Sequence, residues 1–353
     1  MLSYRKLAMR VLGRPLHTGG GNDSPRPASQ RAAAFILTAA MLTTLTAPAF
    51  AKTWYIEEGD ITVKAGDTEG TNKVSQGENP EVEDTGTIIS SKDKDTASSN
   101  TVTIEAEDKD DKVEVTLKDL NIDASRGSEA AVSVTGKGDT NIELNGDNEL
   151  SGSGAHAALE HNQTVDGEGN GELTIQDKDK NGSLTATGGI QNGAGIGAGG
   201  YGVSSGKIEI TGGDITAIGG KSAAGIGGSG YRGDADITIS GGTIRATGGD
   251  QAAGIGGGGL YGSGNITITG DAVIEESIGG SSGAGAGNST GGAGIGGGAM
   301  GAGENITISD GAHVTANGGA QGAGIGGGMR GKGEVTISGG DVTAHGGHTA
   351  ACI

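Results

Sequence analysis

"AGIGGSGYRGDADITISGGTIRATGG", residues Ala224 to Gly249, is the stretch on which the fold turns. Its 26 residues hold four isoleucines and one tyrosine but no leucine, valine or phenylalanine, so it cannot build a core of its own. The triplet Ala-Gly-Ile that opens it recurs with its isoleucine at Ile196, Ile226, Ile255, Ile295 and Ile325, spaced 30, 29, 40 and 30 residues apart. Each triplet is followed by a glycine-rich link, then a segment such as "KIEITGG" or "DITISGG", then one such as "TIRATGG" or "DVTAHGG". Self-similarity at this period marks a solenoid, in which no unit can bury its apolar side alone and stacked neighbours bury it instead.

Inside each unit the pattern has period two. In "DITIS", Ile237 and Ile239 share one face while Asp236, Thr238 and Ser240 share the other; in "TIRAT", Ile244 and Ala246 face in. Three short strands and three corners in about 29 residues make one coil, and the crossover rule sets its hand. The predicted fold is all-β, a right-handed parallel β-helix of about eight or nine coils of roughly 27–40 residues. The recurrent pairs Gly219-Gly220, Gly248-Gly249, Gly318-Gly319 and Gly346-Gly347 are expected to supply positive-φ corners.

Weaker copies extend the array upstream. "EAAVSV" near Val132 and "AHAALEH" near Leu159 stand in the place of Ala-Gly-Ile, and "NTVTIEA" and "KVEVTLKDLNIDAS" read as starting coils. Residues 52–100 are expected to be an N-terminal strand and cap over the first open edge, and 101–353 the repeat domain. The 40-residue spacing predicts an eleven-residue loop, "GGSSGAGAGNS", bulging from the tube. Ala351-Cys352-Ile353 has the shape of a new triplet with cysteine in place of glycine, so a fragment with an incomplete C-terminal end is expected.

Residues 1–51 read as a signal peptide. A basic region (Arg5, Lys6, Arg10, Arg14, Arg26, Arg31) precedes the uncharged run Ala32 to Ala47, and Ala49 and Ala51 form a small-residue cleavage site. Export to the cell surface or medium is expected, with no membrane insertion after cleavage. The remaining 302 residues carry 42 acidic and 18 basic side chains, a net charge of −24. So acidic a surface repels nucleic acid and anionic lipid. Cys352, the one cysteine, has no internal partner, and stability must come from packing, backbone pairing or ions.

Candidate chemistry is sparse. "DKDKNGS" has the D-x-D-x-N-G spacing of an oxygen-ligand calcium loop, in which Asp177, Asp179 and Asn181 would converge around the turn at Gly182. Its twelfth position is Gly188 rather than glutamate, and strands flank it, so a plain polar turn is the alternative. Tyr201, Tyr231 and Tyr261 recur at 30-residue intervals and continue as Met300 and Arg330, so they should form a column on one edge. Such rings can stack on sugars, or on one another to shield the link. The outward row Thr238, Thr267, Thr307 and Thr336, headed by Glu209, can meet flat ordered surfaces, ice included, although threonine is also a common exposed strand residue. His345, His348 and Cys352 resemble metal spacing only superficially, and His156 and His161, which bracket Glu160, read as surface residues. Arg126, Arg232, Arg245 and Arg330 sit on scattered coils, and the carboxylates gather in turns rather than as a facing pair, so no enzyme is expected.

The run "VEVTLKDLNIDASRGSEAAVSVTGKGDTNIELNGDNELSGSG", Val113 to Gly154, followed by "AGIGG", "ITISGG" and "TATGG" coils, resembles a family of exported Gram-positive bacterial carbohydrate-binding domain proteins. The resemblance spans most of Thr101 to Ile353. It implies a right-handed parallel β-helix similar to polysaccharide lyases but without established catalysis, binding plant cell-wall polysaccharide with calcium implicated. Two functions are carried forward. One is a monomeric, non-catalytic binder of a neutral glucan, or of pectin through calcium bridges, using the tyrosines and the Asp177 loop. The other is a structural or adhesin-like surface protein in which the helix is a stiff spacer.

Overall fold

Leu159, Ile196, Ile226, Ile255, Ile295 and Ile325 stand directly above one another, each paired in parallel with the next. This file runs through a computed structural model that describes residues 52–163, 171–282 and 290–353. The signal-peptide reading of 1–51 lies outside those residues. The chain is a right-handed parallel β-helix of three sheets.

In one coil, Lys207–Ile210 lies in the first sheet, Asp214–Ile218 in the second and Ile226–Gly227 in the third. The next coil repeats this as Ala235–Ile239, Thr243–Thr247 and Ile255–Gly256, in register throughout. Inward side chains therefore form vertical files. Ile208, Ile237 and Ile266 make one in the first sheet; Ile215, Ile244, Ile274 and Val314 make another in the second. All are buried in a single continuous core. The ladder accounts for the backbone polar groups that a small core could not compensate: the amides of Ile196, Ile226, Ile255 and Ile295 each donate to a carbonyl of the following coil at 3.0–3.1 Å.

Among the described residues ten strands stack in the first sheet, from Thr53–Tyr55 to Gly333–Ile337, and the last eight have a partner strand in the second sheet. The weaker copies fall where the pattern puts them, Leu159 pairing with both Val132 and Ile196. Thr53–Tyr55 and Ile61–Ala65 already pair in parallel with the rung above. Asn72–Gln76 and Val82–Asp84 then run antiparallel across the free edge of Ile61–Ala65 and cover it. Trp54 Nε1 ties this cap to the helix by donating to Asp84 Oδ2 at 2.8 Å. The eleven-residue insertion leaves the tube through an antiparallel stem, Ser281–Ser282 against Thr290–Gly291; residues 283–289 lie outside those described.

The glycine pairs work differently from the expectation. Gly219-Gly220, Gly248-Gly249, Gly318-Gly319 and Gly346-Gly347 do not have positive φ. Instead, Gly220, Gly249, Gly280, Gly319 and Gly347 form a file in which a Cβ on each would strike the carbonyl oxygen of the glycine one rung earlier. Their amides meanwhile donate to neighbouring-rung carbonyls at 2.8–2.9 Å. Glycine is required here because two backbones touch. Positive φ appears at another place, directly after each isoleucine, where Gly197, Gly227, Gly256, Gly296 and Gly326 take φ of 129–132°.

Candidate functional site

The glycine-rich link leading from each Ala-Gly-Ile strand into the first sheet makes a corner, and the tyrosines occupy it. Tyr201 and Tyr231 stack with ring centroids 5.4 Å apart and planes 8° from parallel; Tyr261 meets Tyr231 edge-on at 5.9 Å and 89°. The column is not the simple one that the 30-residue interval predicts. Backbone bonds set Gly202 beside Tyr231, and then Arg232, Tyr261, Met300 and Arg330 in one file. The register thus slips by one residue, and Arg232 enters the cluster. Its guanidinium carbon lies 5.6 Å from the Tyr231 ring centre and 5.4 Å from that of Tyr261. Arg232 is the member that the interval alone could not reveal.

Tyr201 is 69% exposed and Tyr261 43%. Because Tyr201 covers one face of Tyr231, the rings form a short stack with an open end, not a flight of separate platforms. Tyr231, Arg232, Tyr261, Met300 and Arg330 all hold left-handed backbone, with φ from 55° to 75°. Of the five aromatic residues in 52–353, three are in this cluster.

The loop of Asp177, Asp179 and Asn181 is a closed turn. Asp177 Oδ1 accepts from the amide of Asn181 at 3.1 Å and Oδ2 from that of Gly182 at 3.0 Å, and Lys180 takes φ of 55°. Glu143 anchors the turn from the rung before by accepting from the amide of Lys178 at 2.7 Å. Asp177 thus holds the turn through its carboxylate. Among the described residues no group of three or more His, Cys, Asp or Glu side chains converges enough to hold a metal ion, and that includes His345, His348 and Cys352.

Beside this turn, short Thr-Gly-Gly and Ser-Gly-Gly corners leave a groove of about 450 Å³ between the first and second sheets. Asp177, Lys180, Thr211, Asp214, Ser240 and Asp271 are among its lining residues. On the first sheet, Glu209, Thr238, Thr267, Thr307 and Thr336 stand in register as the pattern predicts. On the second, Arg245 reaches Asp214 at 2.7 Å and Glu275 at 2.5 Å, linking three successive rungs. Glu275 is exposed beside Glu276 because a bulge puts an extra residue into Val273–Ile278.

One residue assigned to the surface, His161, is inside, and so is Glu160 next to it. Glu160 and His161 are buried, 8% and 1% exposed. Glu160 Oε2 accepts from the amide of Ala157 at 3.0 Å and lies 3.0 Å from His156 Nδ1, while Asn162 donates to Oε1 at 2.9 Å. His161 points its two ring nitrogens at the carbonyls of Val134 and Gly171, at 3.4 and 3.1 Å, and burial pushes its pKa below the usual imidazole value. These polar side chains are accommodated because glycines face them: a Cβ on Gly199 would strike Glu160 Oε2, and one on Gly206 the His161 ring.

A family model described as a beta helix repeat matches residues 208–231, 237–259, 306–329 and 335–351. The chain carries beta helix repeats. The repeat at 264–278 goes unmatched, and it is the one with the bulged strand, followed by the insertion. No curated protein and no solved structure matches the chain.

Proposed function

We propose that the chain is an exported, non-catalytic carbohydrate-binding protein that holds cell-wall-type polysaccharide against the outside of its β-helix. The observation that carries this reading is the tyrosine cluster. Three of the five aromatic rings in 52–353 gather at one corner, and the end ring, Tyr201, is 69% exposed. An exposed aromatic face offers dispersion contact to the C–H face of a sugar ring, and its hydroxyl a hydrogen bond. Among the described residues, the file of Thr238, Thr267 and Thr307 on the first sheet makes no side-chain hydrogen bond and leaves its hydroxyls to solvent or sugar. A neutral glucan suits a surface of net charge −24; pectin is the acidic alternative, with calcium supplied at carboxylates such as Asp177 and Asp271 on the rim of the groove.

The second reading is a structural or adhesive spacer, favoured by the uninterrupted ladder of the first sheet, which stiffens the chain from Thr53 to Ile337. One pull-down separates the two. The protein is incubated with cellulose and with pectin, each with and without a calcium chelator, beside a Tyr201→Ala, Tyr231→Ala, Tyr261→Ala triple variant. Retention that disappears in the variant supports glycan binding at the cluster. No retention on any glycan leaves the spacer.

A further inference from the structure

The −24 charge argues that an acidic glycan should be held only through a divalent ion, yet the tyrosine corner is built differently from the rest of the surface. Arg245, on the second sheet, is clamped between two carboxylates, Asp214 and Glu275. Arg232 makes no ion pair among the described residues, and neither does Arg330, which lies in the same backbone file three rungs on. In a chain so rich in carboxylates, this guanidinium is left without an ion pair among the described residues and lies beside two rings, at nearly the same distance from each as they are from one another.

The backbone gives a second, independent sign. Tyr231 and Arg232 are consecutive left-handed residues, with φ of 55° and 70°, at a corner where the rung before uses Gly202 with φ of 73°. Left-handed backbone is costly for a residue with a Cβ and free for glycine. Strain of this kind persists where the side chains are needed.

A guanidinium presents a planar fork of N–H donors that matches two oxygens of a carboxylate or phosphate, and flanking rings hold that fork in place before anything binds. We propose that Arg232, seated beside Tyr231 and Tyr261, receives the oxyanion of an acidic sugar directly, without a metal ion, while Tyr201 packs on the sugar ring. The inference rests on the glycan-binding reading and gives that site its specificity. At physiological salt, charges are screened beyond about 8 Å. The net negative charge therefore slows the approach of a polyanion but does not cancel a contact made at the guanidinium. Carboxylate and phosphate share this chemistry, so both are tested.

The experiment measures retention of the full chain by three immobilised probes in EDTA: polygalacturonate, poly(glycerol phosphate) and a neutral β-glucan. Arg232→Gly is the main variant, because it removes the side chain and relieves the backbone; Arg232→Lys keeps the charge and loses the fork. The expected result is metal-free retention on at least one anionic probe. Arg232→Gly weakens it by about tenfold or more and Arg232→Lys by less. Thermal stability is unimpaired in both. The stronger of the two anionic probes identifies the oxyanion. Anion retention that survives Arg232→Gly, or that requires calcium, overturns the inference. If the neutral glucan is held through Tyr201 and neither anion is held, the inference fails while the glycan-binding reading stands; if no probe is held, both fall.

Discussion

Gly249→Ala tests the stacking directly, because two accounts of the glycine predict opposite signs. Gly249 does not have positive φ, so on conformational grounds alanine is acceptable there and should stabilise the chain by about 0.4–1 kcal/mol by restricting the unfolded state. The stacked geometry predicts the reverse. A Cβ at this position strikes the carbonyl oxygen of Gly220, with the carbonyl carbon of Lys221 only 2.7 Å away. Neither is the movable end of a side chain. The rungs would have to part, stretching the bonds from Gly249 N to Ala223 O and from Gly219 N to Thr247 O, both 2.9 Å. Overpacking costs about 1–3 kcal/mol and each weakened ladder bond about 1, so a loss of roughly 3–5 kcal/mol is expected. Urea denaturation followed by far-ultraviolet circular dichroism measures it, and amide exchange should show the loss centred on the rungs around 220 and 249. An unchanged or raised midpoint would refute the close-contact argument.

Two further expectations concern electrostatics. Arg245→Ala removes the cation between Asp214 and Glu275 on a half-exposed face, so the cost is small, about 0–1 kcal/mol, and should fade in high salt; comparing urea midpoints at low and high ionic strength checks it. His161 is buried with its pKa depressed by desolvation, so its native form is the neutral one. The stability it confers is fully present above the unfolded imidazole value of about 6.5, and is lost as pH falls from there toward the depressed native value. Denaturation midpoints of wild type and His161→Gln should therefore converge between pH 7 and pH 5, and a constant gap would contradict the assignment.

Much of the fold is legible in the sequence because a solenoid writes its rungs as a period and its faces as an alternation. Ile226 and Ile255 are 29 residues apart because they occupy the same place in successive coils, and even Leu159 and Val132 can be placed without the glycines around them. The use of Gly249 is not legible. Its lack of a side chain answers to a carbonyl on another rung, which is known only once the phase of the stack is known. The same holds for His161, whose burial depends on the carbonyls of Val134 and Gly171 on neighbouring rungs. At the candidate site, the 30-residue interval finds Tyr201, Tyr231 and Tyr261 but misses Arg232. A one-residue slip in register, invisible to a count of spacings, brings that guanidinium beside the rings. The Asp177 spacing is compatible with both an ion site and a turn, and its bonds from the amides of Asn181 and Gly182 fit either.

The file of outward residues on the first sheet gives the most direct test of the whole account. Thr174, Glu209, Thr238, Thr267, Thr307 and Thr336 occupy consecutive rungs. With Cys352 replaced by serine, spin labels on cysteines at 174 and 336 should lie about 24 Å apart by pulsed electron resonance, five ladder steps of about 4.8 Å, although 162 residues separate them. Moving the second label to 267 should shorten the distance to about 14 Å. Distances that do not step with the rung number, or a broad distribution with no preferred separation, would contradict the stacked β-helix.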